Sequence, residues 1–255
     1  MPGTAFRLDL KETFPTLRNA PIAEAVIHWQ ARAQTTLVPD DLHRSLAEKL
    51  PEFLKCEPIQ QLELQTFFSG ETDSLPVVRQ QSAWDGFRLT SDDGRYIAQF
   101  RRDGLVFSRT QPYEHWEPFT ATAKHVWQVY RELAAPLEVQ RLGVRFINHL
   151  SAATPEKLGD FLCDPPTCPS NLPLKEFVYQ STFLVPDLPF GVRVIKLMQP
   201  PGLPQTSGLF LDCDVFTTRP IESDEEMEDA LVKMRWLKNK FFFTLLKPEA
   251  IQAFQ

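Results

Sequence analysis

The chain has 255 residues, of which 43% are hydrophobic, so it is long enough to bury an ordinary core without disulfides or a structural metal. Its formal net charge of -6 argues against a surface that coats nucleic acid but leaves room for a local basic site. No apolar run approaches a membrane span and no secretory signal opens the chain, which predicts a cytoplasmic protein with no membrane partner. The cysteines form no C-x-x-C pair and are expected to be reduced thiols; they are Cys56, Cys163, Cys168 and Cys213.

The first 110 residues predict a strand, a helix and an antiparallel meander. Residues 21–29 alternate as a strand, and residues 39–50 begin with proline and repeat leucine on one side, which predicts a helix. Residues 61–68 alternate as a second strand. Three more candidate strands lie between residues 84 and 109, separated by the turn sequences Asp92-Asp93-Gly94 and Asp103-Gly104.

The rest of the chain predicts two long helices and four strands. Apolar residues recur at helical spacing from 116 to 133, and a strand follows at 139–150. Three further strands are predicted at 176–185, 192–198 and 208–216. Ser223 and Glu226 form a capping box at the start of the final helix.

This order of elements predicts an α+β protein in which helices pack on one side of antiparallel sheets, rather than alternating parallel units. We expect an N-terminal α+β half (1–150), a proline-rich connection on the surface (151–175), and C-terminal strands plus a helix (176–255) that pack on the first half as one unit. A second interpretation is that the two halves are duplicated ferredoxin-like units.

The most informative segment is the strand at 139–150. Arg141, Arg145 and His149 recur at even spacing and share one face, while apolar residues line the other. Asp212 and Asp214 likewise share a face of a later strand. One interpretation is a functional site, in which the arginines hold phosphate and the aspartates hold a metal or act as a general base. The other, which we favour, is an ion-pair ladder in which Arg145 pairs with Asp212 or Asp214 across a sheet.

Two more groups of polar residues have a structural and a functional interpretation. Glu24 and His28 share one face of the first strand, where the histidine could act as acid or base, but a half-buried structural histidine is favoured because no nucleophile stands nearby. Several arginines in the hairpin strands could bind phosphate or RNA, although neighbouring aspartates favour an ordinary solvated sheet face. They are Arg88, Arg95, Arg101, Arg102 and Arg109.

The common catalytic motifs are missing from the sequence. It contains no phosphate-binding G-x-x-x-x-G-K-[ST] or G-x-G-x-x-G string and no G-x-S-x-G elbow. No histidine or cysteine pair has zinc-ligand spacing. We therefore expect no cofactor, no metal and no catalytic residues.

Four segments together resemble a sporadically distributed bacterial family of conserved hypothetical proteins, and the resemblance covers almost the whole chain. They are Asn19-Ala20-Pro21-Ile22-Ala23-Glu24, Arg141-Leu142-Gly143-Val144-Arg145-Phe146-Ile147-Asn148, Leu211-Asp212-Cys213-Asp214-Val215 and Leu237-Lys238-Asn239-Lys240-Phe241-Phe242-Phe243. The resemblance implies a cytoplasmic bacterial protein of patchy occurrence, as in mobile elements, defence islands and toxin-antitoxin neighbourhoods. It implies no catalytic residues.

Two functional hypotheses follow. The preferred one is a non-catalytic recognition or partner protein, an accessory or sensor subunit of a defence or toxin-antitoxin system whose partner is another protein. The alternative is a metal-dependent enzyme acting on nucleic acid or a nucleotide phosphate through the face that carries Arg141, Arg145, Asp212 and Asp214. A local basic face leaves nucleic acid as a second class of partner.

Overall fold

The computed structural model describes residues 6–67, 77–151, 153–167, 172–199 and 208–255; for the strand residues 62–67, 77–81 and 199 it describes the backbone alone. Its strands are β1 (Ile22–Gln30), β2 (Lys55–Phe67), β3 (Val77–Thr90), β4 (Tyr96–Arg101), β5 (Gly104–Thr110), β6 (Arg141–Leu150), β7 (Phe177–Leu184), β8 (Phe190–Gln199) and β9 (Gly208–Thr217). Its helices are α1 (Pro39–Lys49), α2 (Trp116–Ala134), α3 (Leu158–Phe161), α4 (Asp224–Leu245) and α5 (Pro248–Gln252), with a 3-10 turn at Pro155–Lys157.

In these described ranges the strands form one antiparallel sheet in the order β2-β3-β4-β5-β1-β6-β9-β8-β7. The predicted α+β class with an antiparallel sheet is confirmed. The first two hairpin strands are longer than predicted, because β2 already begins at Lys55 and β3 at Val77. The alternation in β2 is interrupted by Pro58, which an edge strand tolerates because its missing N–H need not complete a ladder.

The long helices cover one face of the sheet. Trp29 of β1 is fully buried, stacks on Trp127 of α2 at 5.3 Å between ring centroids, and donates its indole N–H to the Met227 sulfur of α4 at 3.2 Å. This cluster fixes both helices against the central strands. Along β1 and β6 the residues that face the helices are buried, whereas the alternate residues on the opposite face are partly accessible.

The two halves share this one sheet, since β6 of the first half pairs along its length with β9 of the second. The same order of elements recurs along the chain: β1, α1, the meander β2–β5 and α2 are followed by β6, α3, the meander β7–β9 and α4. Each time the last strand of the meander pairs with the first strand, β5 with β1 and β9 with β6. The predicted recurrence of a strand, a helix and antiparallel strands is therefore present, but its second copy begins at β6, before the division at 150, and has three meander strands instead of four. The proposed division at 150 and 176 stays a prediction.

The proline-rich connection contains anchored residues as well as surface ones. Leu158 and Leu162 are buried, and Leu162 forms an isolated antiparallel bridge with Leu246 just beyond α4. Apolar residues placed at helical spacing after Pro155 explain this anchoring. In residues 155–162 the chain is thus part of the packed structure rather than a bare surface excursion.

The start of α4 confirms the predicted capping box. The Ser223 hydroxyl accepts a hydrogen bond from the Glu226 N–H at 3.1 Å, and the Glu226 carboxylate accepts one from the Glu222 N–H at 3.2 Å. Neither α4 nor any other helix in the described part of the chain is long and apolar enough to cross a membrane.

Candidate functional site

The face of the sheet opposite the helices carries the polar residues singled out in the sequence. On β6 the side chains of Arg141 and Arg145 project on this face, and their apolar neighbours Val144 and Phe146 are buried on the helix side. β9 lies beside β6 with Arg145 opposite Asp214 in the register. Four of the predicted site residues therefore meet at the centre of the sheet.

Both aspartates accept hydrogen bonds from these arginines. Arg145 makes a two-pronged contact with Asp212, from Nε to Oδ1 at 2.9 Å and from Nη2 to Oδ2 at 2.6 Å. Arg141 donates from Nη2 to Oδ2 of Asp214 at 2.8 Å. The bond to Asp212 raises the pKa of the Arg145 guanidinium. The predicted pairing of Arg145 is confirmed, with Asp212 as its partner.

A ring stacked between arginines continues this ladder toward β8. The guanidinium carbon of Arg141 lies 4.8 Å from the centroid of the Phe216 ring, and that of Arg193 lies 5.8 Å from it. Gly143 and Gly191 flank Phe216 in the register. A side chain at Gly191 would occupy the space of the ring, because an added Cβ would come within 2.5 Å of it.

We expect Gly191→Ala to destabilise the protein by about 1 to 3 kcal/mol, since the Phe216 ring must move out of its contacts with the arginines. Urea unfolding measures this loss. The matched control is Gly159→Ala, where an added Cβ meets nothing within 4 Å and the substitution is expected to be neutral or mildly stabilising. Equal midpoints for the two variants would show that Phe216 is not held as described.

Glu24 and His28 lie on the same open face of β1. Burial, followed by the charge of Arg141, lowers the pKa of His28, so the ring is neutral at physiological pH. Glu24 contributes to the electrostatic environment of Arg145. A half-buried ring that is neutral at physiological pH fits the structural histidine that the sequence favours.

His149 lies at the far end of β6, away from the arginine-aspartate ladder. Its ring stacks on Phe210 of β9 with 4.4 Å between centroids and 12° between planes. In the residues that the structure describes, no group of three or more histidine, cysteine, aspartate or glutamate side chains is placed to hold a metal ion. The open face is thus a charge-balanced ladder with the polar groups directed at one another.

Strand β7 forms one edge of the sheet and differs from the edge at β2. Its eight residues, FVYQSTFL, include no charge, proline or glycine, whereas β2 carries Lys55, Glu57 and Pro58. Apolar side chains are exposed on both faces of β7: Val178 is 70% and Leu184 is 75% exposed, and the other two are Tyr179 and Phe183. We refer to residues 177–184 as the β7 edge.

A cavity on the helix side was not predicted from the sequence. It lies between the N-terminal segment at residues 10–17, the start of α2 and the second half of α4, and it has a volume of about 510 Å³. Lys238 of α4 is one of the residues that line it. The available signal was its spacing: Lys238 follows Leu231 by seven residues and precedes Phe242 by four, and both of those are buried.

The four segments that carry the family resemblance all contribute to the walls of this cavity. Pro21 comes from the first, Asn148 from the second, Cys213 from the third and Lys238 from the fourth. The segments meet because β1, β6 and β9 are neighbours and α4 packs on β6 and β9.

A scan against protein-family models and a search of curated proteins found no match to this chain.

Proposed function

We propose that this protein is a non-catalytic recognition protein that binds an extended segment of another protein along the β7 edge. The observation that carries the proposal is an edge strand that is uncharged and apolar on both faces and that, among the described residues, has no strand on its outer side. Natural proteins protect exposed edge strands with charges, proline or bulges, because the unpaired backbone groups of an edge strand can hydrogen-bond to another chain. β2 has such residues and β7 has none.

A partner strand would satisfy the β7 edge in two ways. Its backbone would complete the N–H and C=O groups on the outer side of β7, which supplies affinity. Side chains would give specificity, because successive residues of a strand point to opposite faces: Val178 and Leu184 lie on the open face, and Tyr179 and Phe183 on the helix face. Phe183 is already steadied by the Phe241 ring of α4 at 5.6 Å between centroids.

We infer the biological setting from the resemblance seen in the sequence. The resemblance to a patchily distributed bacterial family supports a cytoplasmic accessory or sensor subunit of a defence or toxin-antitoxin system. Such systems act through protein complexes, which agrees with a subunit built to receive a strand. The net charge of -6 favours a protein partner over nucleic acid.

We expect Val178→Lys with Leu184→Lys to abolish partner binding while leaving stability within about 0.5 kcal/mol, since both side chains are solvent-exposed in the free protein. The measurement is affinity capture from the native host, followed by hydrogen exchange on the purified complex. Backbone amides of residues 177–184 should exchange more slowly in the complex than in the free protein.

The matched control is Leu137→Lys, which changes a side chain that is 81% exposed and lies outside the sheet edge. It should retain the partner. Loss of the partner in this control as well, or a complex in which the exchange at 177–184 is unchanged, would contradict the proposal. A homodimer in which β7 protects β7 would also contradict it, since the occupant would then be a second copy of the chain.

The enzyme hypothesis requires a metal site on the open face of the sheet. It needs Asp212 and Asp214 to bind a metal, but each carboxylate accepts hydrogen bonds from an arginine. Purified protein with magnesium or manganese is expected not to cleave RNA, DNA or nucleotides. Cleavage that Asp212→Asn and Asp214→Asn abolish without unfolding the protein would overturn the non-catalytic proposal.

A further inference from the structure

The cavity beside α4 has the size and lining of a small-molecule site. Its volume of about 510 Å³ lies within the range of ligand pockets. Aromatic side chains form much of the wall: Phe14, Tyr113, Trp116, Phe146, Trp236 and Phe242. Such a surface accepts a flat or branched apolar body and leaves orientation to a few polar groups.

The Lys238 amine in this cavity has no acidic partner among the described residues. The Lys238 amine lies 3.8 Å from the centroid of the Phe146 ring and donates a hydrogen bond to Oδ1 of Asn239 at 2.7 Å. In the described part of the chain no carboxylate lies within ion-pair distance of it. Lys233 and Lys240 on the same helix do have such partners, Asp229 and Glu12. Protonating a largely buried amine that lacks a counter-charge is costly, so its position in the cavity calls for an explanation.

The acidic residues around the cavity are each engaged with another cation. Glu12 pairs with Lys240 at 2.6 Å, Glu114 with Arg109 at 3.1 Å, and Glu117 with Arg235 at 2.8 Å. This arrangement leaves Lys238 as the uncompensated charge of the cavity. A ligand could supply the missing anion without displacing any of the three pairs.

The cavity contains a second polar group, the hydroxyl of Tyr113. The Tyr113 hydroxyl has no solvent exposure and no hydrogen-bond partner among the described residues. The Tyr113 ring packs edge-on against Phe146 with 5.3 Å between centroids, the same ring over which the Lys238 amine sits. An ammonium and a phenol, both donors, thus belong to side chains that contact the same aromatic ring of the wall.

We propose that this cavity binds a small monocarboxylate with an apolar or aromatic body. The carboxylate accepts hydrogen bonds from the Lys238 amine and the Tyr113 hydroxyl, and the body lies against the aromatic wall. One uncompensated cation suits a single negative charge better than a phosphate dianion, which needs more donors than these two. The site uses no residue of the β7 edge and stands independently of the proposed partner.

The electrostatics of the amine support this assignment. Burial, and next the charge of Arg235, lower the pKa of Lys238 to about 7 in the unliganded protein. Cys213 of β9 also faces the amine, and Glu12, Glu114, His115 and Glu117 line the same cavity from the N-terminal segment and the start of α2. A bound carboxylate would raise the pKa of the lysine, so binding takes up a proton and weakens as the pH rises past about 7.

Calorimetric titration of the full chain with phenylacetate tests the site. We expect saturable binding with a Kd of about 1 mM or lower at about pH 6, weakened at least about tenfold at about pH 8.5. Phenylacetamide, which has the same shape without the charge, and inorganic phosphate should bind at least about tenfold more weakly. Lys238→Met should lose phenylacetate binding, and Tyr113→Phe, which keeps the ring, should weaken it several-fold.

The matched control is Lys233→Met, which removes a lysine of the same helix that is paired with Asp229 and should leave binding unchanged. The proposal is overturned if phenylacetate does not bind, if phenylacetamide binds equally well, or if Lys238→Met binds as tightly as the wild type. A misfolded Lys238→Met variant does not block the test, because Tyr113→Phe, the amide control and the pH dependence each report on the same contact.

Discussion

Arg145→Ala is expected to lower the free energy of unfolding by about 2 kcal/mol. Its partner Asp212 has a side chain only 10% exposed and would lose both charge-assisted hydrogen bonds. The loss should fall short of the about 3 to 5 kcal/mol of a fully buried pair, because the Arg145 side chain is 46% exposed. It should exceed the at most about 1 kcal/mol of a surface pair. Urea unfolding measures the change in midpoint.

A double-mutant cycle separates the pair from the general effect of truncation. Asp212→Asn removes the negative charge, so the cost of Arg145→Ala in that background should fall by about 1 kcal/mol or more. Arg44→Ala serves as the control, since the pair of Arg44 with Asp41 is about 70% exposed and should cost less than about 0.5 kcal/mol to remove. An unchanged midpoint for Arg145→Ala would reject the ladder and favour ligand binding by this arginine.

The ladder could be predicted from the sequence only in part. Alternation placed the arginines on one face of β6 and the aspartates on one face of β9, since side-chain direction is a local property of a strand. Which aspartate each arginine binds does not depend on the local sequence. Arg145 lies opposite Asp214 in the register but bonds Asp212, because its long side chain reaches the diagonal neighbour and Arg141 takes Asp214.

The β7 edge and the cavity lay beyond sequence reasoning for a different physical reason. Whether a strand is central or an edge depends on the order of strands in the sheet, which no local pattern contains. The cavity depends on where the N-terminal segment crosses α4, as when Phe14 stacks on Phe243 at 5.5 Å between centroids. Contacts of this kind join residues more than 200 positions apart. Local periodicity predicts the elements but not such contacts.

Lys238→Met is expected to stabilise the unliganded protein at neutral and acidic pH. The lysine has a pKa of about 7 in the folded chain against an ordinary value of 10.5, so folding below pH 7 encloses a charged amine at a cost. Between these two values the unfolded chain binds more protons than the folded one. The free energy of unfolding of the wild type should therefore rise with pH across this window, by up to about 1.4 kcal/mol per pH unit from this group.

The comparison of variants isolates that contribution from other groups that titrate in the same range. Burial also raises the pKa of Cys213 to about 12, which acts in the opposite direction above pH 9 in both proteins and therefore outside the range in which Lys238 begins to titrate. Lys238→Met should thus exceed the wild type in stability most at about pH 6, and its advantage should shrink toward about pH 10.

Lys233→Met should show no such trend, because that lysine is paired at the helix surface. An advantage of Lys238→Met that is independent of pH would mean that packing, and not the enclosed charge, distinguishes the two proteins. The proposed monocarboxylate would supply the counter-charge that no carboxylate of the described residues gives Lys238, and would so offset the cost of protonating this amine in the folded protein.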